Sequence, residues 1–212
     1  MLTISHRGYS REAAENTMKS FVDAVRLGVD GIETDIRMTA DGELILFHDR
    51  RTADGQAISE LVYSELCKNV GFSVPKLAEV LEWPEDILWV LELKDIRAIE
   101  SFLRAVKPYV PSKRLLVISF LHNAIEEVQR RLDVECGVTV AHRPADFQTC
   151  QLRRWHTIVW KYEFLDSELI QESIAAGHRN LVYNVDGIDE HRTCFEMGLD
   201  GIITNEPLLV NQ

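Results

Sequence analysis

The run Gly31-Ile32-Glu33-Thr34-Asp35-Ile36 is short and apolar-rich, and bounded by Asp30 and Arg37. Strand side chains alternate with a period of two, so Glu33 and Asp35 share one face while Ile32, Thr34 and Ile36 take the other. Leu88-Trp89-Val90-Leu91-Glu92-Leu93-Lys94 repeats the pattern, with Glu92 and Lys94 on one face. Outward from these two, short apolar runs recur at Leu2–Ser5, Leu115–Ser119, Cys136–Val140, Thr157–Trp160, Asn180–Asn184 and Gly201–Thr204. Runs of this kind suit strands covered on both faces, as in a parallel sheet. Helical spacing lies between them, at Asn16–Leu27, Ile96–Val106, Asn123–Leu132, Ser167–Ala176 and Asp189–Met197, with Gly28, Gly177 and Gly198 as stops. The stretch Ala141–Trp155 matches neither template.

Eight strands alternating with helices predict a single-domain (β/α)₈ TIM barrel over residues 1–212. A doubly wound open sheet is the alternative, but no G-x-G-x-x-G opens a helix after the first strand. The alternation breaks once. Glu43–His48 reads as an extra strand, Arg50–Gly71 is polar and turn-rich, and Leu77–Leu81 reads as a short helix. This makes a short excursion between the second and third barrel strands, over about residues 49–75.

The chain has 212 residues, near the lower end for such a barrel, and a formal charge of −11. That field disfavours nucleic-acid backbones and anionic membranes while leaving room for a small phosphate ester in a locally positive pocket. Cys67, Cys136, Cys150 and Cys194 form no C-x-x-C pair and read as free thiols in a reducing compartment. The N-terminus carries no basic region followed by an apolar stretch, and no run approaches a bilayer span. The expectation is a soluble, cytoplasmic protein with no stable membrane association.

Four charges inside apolar strands call for a reason. Residues two apart on a strand lie about 6.6 Å apart, where like charges repel by about 2.5 kcal/mol at an effective dielectric of 20. Desolvation adds several kcal/mol per ion. A barrel built for stability alone would place Val, Ile or Leu there. All four sit near the C-terminal ends of strands, where barrel active sites form. Glu33, Asp35 and Glu92 suit a hard divalent cation such as Mg²⁺ or Ca²⁺, because every donor is oxygen. Lys94 would then bind an anionic substrate group. The alternatives are a solvated face on an edge strand or a buried Lys94–glutamate salt bridge.

His6 follows the first strand and precedes Arg7 and Gly8; His48 ends the Glu43–His48 run and precedes Asp49. Two histidines across a scissile bond can divide acid and base roles, and an arginine can clamp phosphate with two donors. His122, His142, His156, His178 and His191 have no such neighbours and read as structural or surface residues.

Taken in order, these pieces resemble the glycerophosphodiester phosphodiesterase family. The resemblance rests on His6-Arg7-Gly8, Ala14-Glu15-Asn16-Thr17, Gly31–Asp35, Thr39–Leu44, His48-Asp49, Pro75–Leu81, Leu91–Lys94 and Gly198–Pro207. It implies metal-dependent hydrolysis of glycerophosphodiesters to glycerol 3-phosphate and an alcohol. His6 and His48 would be the acid/base pair, and Glu33, Asp35 and Glu92 the ligands of one Mg²⁺ or Ca²⁺ ion. Arg7 and Lys94 would contact phosphate, and Glu15 with Asn16 would support the site. The substrate's own glycerol hydroxyl would attack, giving a cyclic phosphate that water opens. Ser119-Phe120 matches the end of the fourth strand, and Tyr183 stands where tryptophan is frequent, as a wall of the substrate pocket. Asn205 stands where aspartate is usual, and the excursion is shorter than the family's insertion. The competing readings are a phospholipase D-like barrel of the sphingomyelinase type acting on lysophospholipids, and a non-catalytic phosphodiester-binding barrel.

Overall fold

The computed structural model describes residues 1–142 and 155–211; Cys150 and most of the stretch 141–155 lie outside them. Nine strands follow in chain order: β1 (Leu2–His6), β2 (Gly31–Met38), β3 (Leu44–Leu46), β4 (Leu88–Leu93), β5 (Leu115–Ser119), β6 (Glu135–Val140), β7 (Thr157–Lys161), β8 (Arg179–Tyr183) and β9 (Gly201–Thr204). Eight of them pair in parallel, and the β1–β2 pairing closes the ring. β3 is antiparallel to β2 and extends it outside the ring. The helices are α1 (Met18–Arg26), α2 (Tyr63–Val70), α3 (Leu77–Leu81), α4 (Ile99–Val106), α5 (His122–Arg131), α6 (Ser167–Ala175) and α7 (Ile188–Glu196). The fold is a (β/α)₈ barrel.

Period-two alternation divides the strand residues between two cores. Ile4, Leu88, Val90, Leu116, Ile118, Val159, Leu181 and Ile203 fill the barrel interior. Ile32, Trp89, Leu91, Val117, Val138, Ile158, Val182 and Ile202 point outward, under the helices, with Phe21, Phe102 and Ile125. A third cluster (Ile45, Ile58, Leu61, Leu66, Val74) anchors the excursion. Toward the C-terminal ends the interior face changes from aliphatic to charged, which is where the site begins.

Local chemistry sets the boundaries. α1 opens with a reciprocal cap in which Ser20 N donates to Thr17 Oγ1 and Thr17 N donates to Ser20 Oγ, at 3.3 and 3.2 Å. It starts at Met18 rather than Asn16, because Asn16 has φ +54° and cannot join a right-handed helix. Asp166 caps α6 by accepting from Leu169 N at 3.0 Å. The run Ile96–Val106 divides into a 3₁₀ turn, Ile96–Ala98, and α4. Within Arg50–Gly71, expected as turns, the chain forms α2, closed by Gly71 at φ +81°.

Candidate active site

Parallel register carries the charged residues to one end of the barrel. His6 on β1 is opposite Glu33 on β2, and Asp35 on β2 is opposite Glu92 on β4. Adjacent strands are about 4.8 Å apart, less than the separation of alternate residues along one strand. Glu33, Asp35 and Glu92 each place an oxygen within 4.8 Å of the others, and all three are buried. Glu33 Oε1 has no hydrogen-bond partner among the described residues. An unsatisfied buried carboxylate oxygen beside two further carboxylates is a donor set that fits one hard cation.

The cluster's electrostatics follow from burial and neighbours. Burial, then the charges of Asp35 and Glu92, push Glu33 well above the usual carboxylate range. Burial pushes Glu92 up to about 7 against the pull of Lys94. Burial works the same way on Asp35, but Lys94, Arg7 and the Asn16 hydrogen bond outweigh it and hold that carboxyl low. Lys94 Nζ lies 2.8 Å from Glu92 Oε1 and 3.1 Å from Asp35 Oδ1. Burial opposes its charge, yet those carboxylates raise its pKa. The buried Lys94–Glu92 salt bridge therefore exists alongside the acidic cluster.

Two turns in the left-handed region aim the next groups. Arg7 has φ +56° and Asn16 φ +54°, both unusual for residues with a Cβ. Strain of this sort persists only where surrounding contacts hold it. Arg7 N donates to Glu33 O at 2.9 Å, and Asn16 N donates to Arg7 O at 2.9 Å. Gly8 follows at φ +75°, and a Cβ there would meet Ser20 Oγ at 2.4 Å and the Ser20 backbone at 2.7 Å. So held, Arg7 Nη1 lies 2.9 Å from Glu15 Oε1, while Arg7 Nε sits 3.2 Å from Asp35 Oδ2 without hydrogen-bond alignment. Asn16 Nδ2 donates to Asp35 Oδ2 at 2.8 Å, and Thr34 Oγ1 donates to Asn16 Oδ1 at 2.6 Å.

His6 Nε2 lies 3.9 Å from Glu33 Oε2. Burial and then the Arg7 charge lower its pKa to about 4, despite the hydrogen bond to Asn205 and the charges of Asp35 and Asp186. His48 lies on the segment after β3, with Nδ1 2.8 Å from Asp49 Oδ1 and its carbonyl held by Arg37 Nε at 2.8 Å. Two cavities lie beside these residues, one at the cluster and one at His48. One of about 20 Å³ is lined by His6, Glu33, Glu92, Phe120, Thr139 and Tyr183, among others. One of about 410 Å³ lies under the excursion, lined by Glu15, Asn16, Phe47, His48, Val70 and Phe72, among others. Phe120 and Tyr183 meet edge to face, 5.9 Å between centroids, and Lys94 Nζ is 5.6 Å from the Phe120 ring. Burial pushes the Tyr183 phenol well up, so it stays protonated.

All eleven residues singled out from the sequence lie at or beside this end of the barrel. Four others stand beside them, of which only Asn205, in the Gly198–Pro207 motif, carried a sequence signal. Arg37 supports the His48 backbone, Asn184 and Asn205 lie at His6 Nδ1, and Asp186 holds Asn205. Their role depends on the closure that brings β8 and β9 against β1. Exposed apolar side chains also ring this end: Ile96, Phe120, Leu121, Phe164 and Ile188 all follow the C-terminal ends of strands.

Fold and site together define a (β/α)₈-barrel enzyme with histidines, cationic side chains and an acidic cluster at its C-terminal mouth. The profile of the Glycerophosphoryl diester phosphodiesterase family matches residues 6–209, and the chain belongs to that family of phosphoric diester hydrolases. It is 28% identical to a glycerophosphodiester phosphodiesterase of Caldanaerobacter subterraneus, over 97% of this chain and 94% of that one. A mouse lysophospholipase D is 28% identical over 74% of this chain and 43% of its own length. Among solved structures, an Oleispira antarctica phosphodiesterase in complex with the product sn-glycerol-3-phosphate superposes with a TM-score of 0.89. It is 24% identical and covers 100% of this chain and 97% of its own. No helix among the described residues is long and apolar enough to cross a membrane.

Proposed function

We propose that this chain hydrolyses glycerophosphodiesters to glycerol 3-phosphate and an alcohol, using one Mg²⁺ or Ca²⁺ ion held by Glu33, Asp35 and Glu92. The observation that carries the reading is the convergence of those carboxylates with Arg7, Lys94 and His6 at the barrel mouth. The Oleispira antarctica relative, solved with sn-glycerol-3-phosphate, supports the choice of product. When bound, the cation would neutralise charge on the phosphoryl oxygens and make a substrate hydroxyl easier to deprotonate.

The protein's own residues supply the rest. Cys136 and Cys194 are buried and their thiols pushed up to about 12, so neither serves as a nucleophile. The substrate's glycerol 2-hydroxyl attacks phosphorus instead. His6, held neutral, takes the hydroxyl proton at Nε2. His48, beside the larger cavity, gives a proton to the departing alcohol oxygen as the P–O bond breaks. The histidines then exchange roles while water opens the cyclic phosphate. Arg7 and Lys94 orient the phosphate.

Release of glycerol 3-phosphate from glycerophosphodiesters, assayed with Mg²⁺, with Ca²⁺ and with EDTA, tests the proposal. Metal-dependent release is expected, and release that EDTA leaves unchanged would refute the cation site. A second reading, cleavage of the headgroup from lysophospholipids, is favoured by the apolar side chains ringing the mouth and by the mouse relative. Lysophospholipid vesicles in the same assay separate the two.

A further inference from the structure

β8, β9 and β1 are neighbours in the barrel, and their C-terminal ends converge behind His6. There the Asp186 carboxylate accepts from Asn205 N at 2.7 Å, Asn205 Nδ2 at 2.7 Å and Thr204 Oγ1 at 3.2 Å. A carboxylate accepts but does not donate. It therefore fixes the Asn205 amide with nitrogen toward Asp186 and oxygen toward the histidine. Asn205 Oδ1 lies 2.8 Å from His6 Nδ1. An amide oxygen only accepts, so the proton of the neutral ring must sit on Nδ1, which leaves the Nε2 lone pair facing Glu33 and the mouth. Asn184 Nδ2 also lies 2.8 Å from His6 Nδ1, an arrangement that would suit the opposite tautomer. The two amides cannot both be satisfied. Asn205 is pinned by a carboxylate and Asn184 is not, so Asn184 is the one that turns and presents its oxygen.

We propose that Asp186 and Asn205 are positioning residues that lock His6 in its Nδ1–H tautomer and so reserve Nε2 for proton transfer. The catalytic consequence rests on the acid/base role assigned to His6 above; the tautomer itself does not. Outer partners of this kind are worth about 10- to 100-fold in activity. The carboxylate and the amide are also exchangeable in principle. Asn205→Asp alone sets two carboxylates against each other, whereas Asn205→Asp with Asp186→Asn moves the amide donor to position 186, facing position 205, and keeps an acceptor at position 205 facing His6.

Long-range ¹H–¹⁵N spectra of histidine-labelled protein, with and without Mg²⁺, test this directly, with His6 signals assigned by their loss in His6→Gln. The wild-type ring is expected in the Nδ1–H form. Asn205→Leu is expected to lose that preference and to lower kcat about 10- to 100-fold, with KM and Mg²⁺ affinity by calorimetry unchanged. The double exchange is expected to recover most of the kcat that Asn205→Asp loses. A wild-type His6 in the Nε2–H form, or Asn205→Leu with wild-type kcat, overturns the proposal. A folded wild-type protein inactive on every diester would instead refute the assigned function, and the spectra would still decide the tautomer.

Discussion

Glu92 shows how one side chain can set competing demands. Burial pushes it up to about 7, above the ordinary 4.5, so without a cation the folded protein keeps a proton that the unfolded chain has released. A raised folded-state pKa contributes stability that is complete below the unfolded value and lost as pH rises to the folded one. Glu33 acts in the same direction. Asp35, held low, has the opposite sign, and its contribution is lost only as pH falls below its ordinary 3.8. With metal chelated, the acidic cluster is therefore expected to lower Tm as pH rises from about 5 to about 7. A cation competes with those protons, so the Tm increase on adding Mg²⁺ should grow over the same window. Melting curves with EDTA and with Mg²⁺ at about pH 5, 6, 7 and 8 check both trends; a pH-independent metal increment would count against binding at these carboxylates. His48 is half-exposed beside the larger cavity, and its charge adds to those that hold Asp35 low. His48→Ala is expected to lower turnover by at least about 10²-fold while calorimetric Mg²⁺ affinity stays near wild type. Near-normal turnover would sink its role as proton donor.

Among the elements, the excursion is the one that the barrel does not require. Its α2 buries only Leu66 fully, against Ile45, Ile58, Leu61 and Val74. Leu66→Ala is expected to cost about 2–5 kcal/mol locally. Hydrogen exchange over residues 57–75 should accelerate while the barrel strands stay protected, and KM for the diester should rise as the larger cavity loses its wall. Exchange that accelerated equally across β4–β9 would show that the excursion and barrel unfold as one unit. This element also shows where sequence reading reaches its limit. The barrel strands were legible because both their faces are apolar, a pattern that survives without knowledge of partners. Glu33, Asp35, Glu92 and Lys94 stood out because charge inside such strands needs a reason. α2 was hidden by its exposed, polar face, although Glu65 at its third position and Gly71 just past its end were signals of a helix. Asn16 read as the start of α1, but its side chain is drawn to Asp35 and its backbone turns left-handed to reach it. Asn184 and Asp186, and the contact of Asn205 with His6, were illegible for a longer-range reason: these groups converge behind His6 only because the last strands close onto the first.

For the molecule as a whole, 212 residues suffice for all eight barrel strands and their intervening segments. The economy of length falls on the excursion, which carries one two-turn helix and a 3₁₀ turn between β3 and α3. What remains shapes a cavity of about 410 Å³ with apolar surface from Phe47, Val70 and Phe72 and polar groups from Glu15, Asp49, Arg51, Thr52 and Asn69. Several of those polar groups already have partners: Glu15 binds Arg7, Asp49 binds His48, Arg51 binds Gly55 O, and Asn69 binds Asp54. A site discriminates strongly when it leaves buried polar groups unpaired against the wrong ligand, and only by about 10- to 200-fold when it offers apolar surface alone. This cavity is of the second kind, and Phe72 is 38% exposed at its edge. On the proposed reading the alcohol end of the substrate would be weakly selected, and the phosphate, facing Arg7 and Lys94, strongly selected. Across glycerophosphodiesters of choline, ethanolamine, glycerol and inositol, kcat/KM is expected to vary by less than about 100-fold. Replacing the glycerol unit's 2-hydroxyl by hydrogen should abolish turnover with every alcohol, because the attacking group is lost. A preference for one alcohol above about 10³-fold, or steady cleavage of the 2-deoxy analogue, would place selectivity or nucleophile elsewhere than this geometry does.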